Sequence, residues 1–148
     1  MKLIEAIAEH FYQVNYGDNW TDVAVRDVLA NISYEQSVKK TGNANTIAML
    51  LHHMDFYNRV VYDRLLEGSK QFKHEDSLEV NIQSEADWQA LQKRYFEMVD
   101  LIHQTILGLD ESRLFEKKTA NTLYKNLHGL VEHIHYHLGQ IVILKKLG

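Results

Sequence analysis

Apolar residues recur at three- and four-residue spacings along most of this chain, the pattern that gathers them on one face of an α-helix. Leu3, Ile4, Ile7, Ala8, Phe11, Tyr12 and Val14 form the first such stripe, over Met1 to Tyr16, and Gly17 ends it. Gly17-Asp18-Asn19-Trp20-Thr21-Asp22 is dense in turn formers and reads as a loop. Two short helical pieces follow, Val23 to Leu29 and Tyr34 to Lys39, the second capped by Ser33. After the break at Thr41 to Asn45, a long second helix spans Thr46 to Glu67, with Asn45 as N-cap and Gly68 as its stop.

The pattern then changes. Ser69 to Gln83 is polar and charged, and Leu78, Val80 and Ile82 alternate with polar residues as in a strand. A lone strand has no partner, so this stretch is expected to be an extended crossover, packed outside the helices and forming a rim around a pocket. Ser84-Glu85-Ala86-Asp87 fits a capping box and opens a third helix through Trp88, Leu91, Tyr95, Val99, Ile102 and Ile106, ending near Gly108. Leu109 to Lys118 reads as a charged loop. A fourth helix runs from about Asn121 to Lys146, with Lys145 and Lys146 complementing the negative end of its dipole. The expected architecture is all-α: one domain over residues 1–148, an up-down-type four-helix bundle with short extra helices and a long crossover between helices two and three.

Composition sharpens this reading. The 148 residues include no proline and only 7 glycines, as uninterrupted helices require. They also include no cysteine, which excludes disulfides, thiolate metal ligands and cysteine nucleophiles, and leaves 9 histidines as the main source of ligand chemistry. A net charge of −4 offers no basic footprint for nucleic acid. The N-terminal segment lacks the build of a signal peptide, and no apolar run approaches the roughly 18 residues of a membrane span, so a cytoplasmic protein is expected.

The histidines are densest on the fourth helix, in Glu132-His133-Ile134-His135-Tyr136-His137. At about 100° per residue, His133 and His137 lie roughly 40° apart on the wheel, so two imidazoles one turn apart can share one metal ion. His135 points elsewhere. Leu123, Leu127, Leu130, Ile134, Leu138 and Ile141 form the core stripe, and the pair sits at its edge, facing inward. Buried imidazoles need partners, since an unsatisfied polar group costs about 1–3 kcal/mol. On the second helix His53 shares the face of Leu50, Met54, Tyr57, Val60 and Val61, whereas His52 falls on the side of Arg59 and Asp63. His53 is therefore the expected third ligand. His10, His74, His103 and His128 have no partner at ligand spacing, and surface or hydrogen-bonding roles are expected for them. No phosphate-binding loop, nucleophile elbow, H-E-x-x-H or repeated Glu-x-x-His pair is present, so a mononuclear site fits best.

The segment from Asn126 to Ile141, with its H-x-x-x-H pair followed by Gly139-Gln140-Ile141, resembles the fourth-helix segment of the DinB/YfiT-like metalloenzymes. Thr46-Ile47 with His53 and Tyr57 resembles that family's second-helix signature, and Trp20 and Tyr34-Glu35-Gln36 sit where its pattern places them. The resemblance implies a bundle, often dimeric, with His53, His133 and His137 holding a divalent ion such as nickel or zinc. It also implies a metal-dependent enzyme, either a thiol S-transferase using a low-molecular-weight thiol or a metal-assisted hydrolase. Two other readings stand beside it: a non-catalytic metal-binding or stress-response module, and a structural bundle without metal. No residue stands out as a general base, and the catalytic residues are unknown at this level. Glu132, Tyr57 and Gln140 are expected to support the ligands or touch a small-molecule substrate.

Overall fold

The computed structural model describes residues 1–117 and 119–148. Its elements are α1 (Leu3–Tyr16), α2 (Val25–Leu29), α3 (Tyr34–Val38), α4 (Ile47–Leu65), α5 (Glu85–Leu107) and α6 (Leu123–Leu147), with 3-10 turns at His74–Leu78 and Glu111–Phe115. Among the described residues no strand forms, only an isolated bridge between Lys117 and Thr122. No helix among them is long and apolar enough to cross a membrane.

Each later long helix begins at a hydroxyl that accepts from an otherwise free backbone amide. Ser84 accepts from the Asp87 amide and Thr122 from the Lys125 amide. For α4 the cap is Thr46, which accepts from the Met49 amide, rather than the expected Asn45. At its other end α4 stops at Leu65, and Glu67, not Gly68, adopts the left-handed conformation at φ 59°. Gly68 meets a different need. A Cβ there would lie 2.2 Å from Asp63 Oδ1, and Asp63 Oδ2 accepts from the Lys70 amide. The missing side chain lets Asp63 hold the start of the crossover.

The apolar stripes merge into one core. Phe11, Leu51, Met54, Trp88, Tyr95, Ile102 and Ile134 are all buried in it. Trp88 also donates its indole N–H to the Ile32 carbonyl at 2.8 Å, tying the start of α5 to the α2–α3 link. Asp55, buried within the bundle, faces Arg59 at 2.9 Å and Arg94 at 3.4 Å.

Cross-helix pairs give the directions. Tyr16 donates to Asp100 and the Ile4 amide to Glu111, so α1 and α5 are antiparallel. Arg94 meets Asp55 and Arg113 donates to the Leu65 carbonyl, so α4 and α5 run the same way. His53 meets His137 while Arg64 lies near Asn126, so α4 and α6 are antiparallel. The bundle thus runs up, down, down, up, and the crossover must travel the length of α4, roughly 28 Å at 1.5 Å per residue, before α5 can begin.

That return leg is not strand-like. Its middle folds into the 3-10 turn His74–Leu78, closed by bonds from the Asp76 amide to Lys73 O and from the Glu79 amide to Asp76 O. Val80 and Ile82 then pack half-buried on the core. The expected charged loop after α5 likewise contains a 3-10 turn, with Asp110 accepting from the Ser112 amide and Leu114 fully buried. Lys118, in that stretch, lies outside the described residues.

Candidate metal centre

Packing of α4 against α6 brings the three inward histidines together. His53 is buried, and His133 and His137 are half-buried at the edge of the α6 core stripe. Ring centroids are 4.9 Å apart for His53 and His133, 4.7 Å for His53 and His137, and 4.5 Å for the α6 pair. The Nε2 atoms of His133 and His137 are 3.1 Å apart. One ring nitrogen from each of the three histidines lies within 4.8 Å of the others.

Two of the three outer nitrogens are held, one by the crossover and one from within α6, while His133 Nδ1 is buried without a partner. His53 Nδ1 bonds Ser77 Oγ at 3.0 Å, and His137 Nδ1 donates to Gln140 Oε1 at 2.6 Å, since an amide oxygen only accepts. In both rings Nε2 is left for the centre. The Tyr57 ring packs edge-on to His53 and His133 at 5.0 and 5.1 Å, and its hydroxyl bonds His74 Nδ1. Gln140 and Tyr57 thus lie where sequence reasoning expected supporting groups, and Glu132 lines the adjoining cleft.

His74 and Ser77 are the additions. Both arrive on the crossover, and no helical spacing could have placed them beside residues on α4. His52 stays outside the cluster, with Nε2 against the Asp76 carbonyl at 3.2 Å. His10 and His128 pack together at 6.4 Å away from the three, and His103 packs on Tyr12.

Burial, followed by the neighbouring imidazoles, lowers the His53 and His133 pKa values from the usual 6.5 to about 4. Both are therefore neutral at neutral pH, the form that binds metal. The unfolded chain binds more protons than the folded one between these values, so stability falls as pH drops from about 6.5 toward 4. Urea midpoints of the metal-free protein should decline across that window and level off above it. Replacing His133 with Gln should make the decline shallower.

The donor set fits a divalent ion. Two nitrogens bound to one ion at about 2.1 Å sit roughly 3.0–3.4 Å apart, and the His133–His137 separation falls in that range. Protons cannot satisfy the cluster as well, since only one Nε2 of the pair can donate to the other. Three imidazoles without thiolate suit a first-row divalent ion such as zinc, nickel, copper or iron. The hydrogen bonds to Ser77 and Gln140 orient two of the three rings. Gln140→Leu is expected to weaken divalent-ion binding about tenfold or more, measured by competition with a chromophoric chelator, with little change in fold.

The cluster opens into a cleft of about 500 Å³ between α4 and α6, lined by Tyr57, Val61, Leu130 and Tyr136, and farther along by Arg64, Asn121, Lys125 and Asn126. Three nitrogens are one fewer than the four of a closed structural zinc site. No curated protein and no solved structure matches the chain. A family model described as the DinB superfamily matches residues 19–141, a span that holds all three histidines.

Proposed function

Because the chain belongs to the DinB superfamily, we propose that it is a divalent-metal-dependent enzyme that transfers a small-molecule thiol within this cleft. The observation that carries the reading is the convergence of three imidazoles, with His53 and His133 held neutral, at the end of an open cleft. His53, His133 and His137 would hold the ion, nickel or zinc. Such an ion lowers the pKa of a thiol or water bound to it, which supplies a nucleophile at neutral pH.

The surrounding residues orient and shield. Gln140 Oε1 fixes the His137 tautomer, and Ser77 Oγ holds the His53 ring from behind. Tyr57 stays protonated, its pKa raised by burial and by Glu75, and the bond between its hydroxyl and His74 Nδ1 closes one side of the centre. Val61, Leu130 and Tyr136 give the cleft an apolar wall suited to an organic electrophile. A thiol needs only a small lowering of its pKa to ionise at neutral pH, whereas water needs a far larger one, so the ion alone supplies a thiolate more readily than a hydroxide. The carboxylate lining the cleft, Glu132, is exposed. This difference favours transfer over metal-assisted hydrolysis.

A thiol-consumption assay with simple electrophiles decides between them. The expected result is turnover that a chelator removes and added nickel or zinc restores. Turnover of esters but not thiols would move the reading to hydrolysis. Tight metal binding with neither activity would favour a non-catalytic metal-binding module.

A further inference from the structure

The far end of the cleft holds cationic and amide side chains that the metal centre does not use. Arg64, at the end of α4, and Lys125, in the first turn of α6, both line it, together with Asn121 and Asn126. None of these four side chains has a hydrogen bond or ion pair among the described residues. The nearby carboxylates of Glu67 and Glu116 instead lie 3.8 and 3.7 Å from Arg113. Glu132 is the one acidic residue among the cleft's lining residues. A chain of net charge −4 therefore presents a cationic excess here, even before any ion is bound.

We infer that this end of the cleft binds an anionic group of the substrate, a carboxylate or phosphate, held by Arg64 and Lys125 with Asn121 and Asn126 beside them. The inference rests on the metal-dependent reading above and adds a substrate class to it. Arginine and lysine without acidic partners are the usual recognition elements for such groups. Helical rise places Arg64 about 16 Å along α4 from His53, and Lys125 about 12 Å along α6 from His133. A long helical side chain leans toward its helix N-terminus, which carries the Arg64 guanidinium back toward His53. Lys125 leans the same way along its own helix, away from His133, so the substrate is an elongated small molecule with its metal-seeking atom at one end and its anionic group roughly 10–15 Å away.

Gly129 keeps the two ends connected. It lies one turn from both Lys125 and His133, and a Cβ built on it meets no atom within 4 Å. A side chain at 129 would stand in the open cleft between the two ends.

Cobalt-loaded protein gives a readout independent of turnover, because a thiolate on cobalt adds a charge-transfer band in the near ultraviolet. Mercaptooctanoate is expected to bind about five- to tenfold tighter than mercaptooctanol, and mercaptobutanoate, too short to reach, should show no such gain over its alcohol. Arg64→Met with Lys125→Met should erase the carboxylate preference and leave mercaptooctanol affinity unchanged. Gly129→Leu should block mercaptooctanoate yet spare cobalt binding and mercaptoethanol. Equal affinity of acid and alcohol in wild type, or a preference surviving in the double variant, would overturn the inference. If wild type shows no cobalt spectrum, the metal-dependent reading fails. The anion site is then judged on metal-free protein, by titrating glutarate and following the Arg64 Nε–H resonance. A saturable shift supports it, and no shift overturns it.

Discussion

Replacing His133 with Ala is expected to abolish stoichiometric binding of nickel or zinc. Structural zinc sites with four ligands bind with about 10–16 kcal/mol, or roughly 2.5–4 kcal/mol per ligand, so losing one of three imidazoles should cost on the order of a hundred- to a thousandfold in affinity. His53→Ala should be as severe, since His53 is the ligand candidate on α4 and its loss also strips Ser77 Oγ of its partner. His135→Ala is the internal control. That ring leaves the helix on another side, and its lowered pKa comes from burial and from His10, outside the cluster. Chelator competition on the purified variants measures all three. Wild-type affinity in His133→Ala, or equal losses in all three variants, would rule the cluster out as the binding site.

The largest expected loss of stability comes from Trp88→Ala. Trp88 is fully buried in the first turn of α5, and its indole N–H is bonded to the Ile32 carbonyl. Truncating an aromatic of this size in a packed core costs about 3–5 kcal/mol, a large share of the 5–15 kcal/mol of a typical domain. Trp88→Phe separates the contributions. It keeps most of the ring volume but leaves Ile32 O without its donor, for an expected loss of about 1–3 kcal/mol. Urea unfolding of both variants gives the comparison. A loss under about 1 kcal/mol for the alanine variant would mean that the α2–α3 link does not depend on this anchor.

Much of this architecture is written locally. The stripes Leu3 to Val14 and Leu123 to Ile141 predicted helices because burial of one helical face leaves a three-to-four periodicity. His53, His133 and His137 could be chosen as inward-facing from the same periodicity, and the fold brings those three rings together. What periodicity does not carry is direction and partnership across long separations. The parallel run of α4 and α5 rests on pairs such as Asp55 with Arg94, which no short window contains. His74 has no helical neighbour to mark it, and Ser77 belongs to a polar stretch expected to be an extended crossover, in which no spacing marks a contact to α4. At boundaries the error was one or two residues, as with Asn45 and Thr46, because either residue type can cap a helix.

The up-down-down-up order has a consequence for how the site comes into being. Its parts lie on α4, on the returning crossover and on α6, so they meet only after the chain has closed a separation of some eighty residues between His53 and His133. Contacts this distant in sequence form late, because loop-closure entropy must be overcome first. A partly folded chain with α4 alone offers a divalent ion a fragment of the site. Affinity thus becomes a test of completion: an ion that binds only the finished bundle, at a hundred times its dissociation constant, adds about 2.7 kcal/mol to stability. Loading with such an ion should then raise the urea midpoint of the wild-type chain and leave that of a variant lacking His133 unchanged.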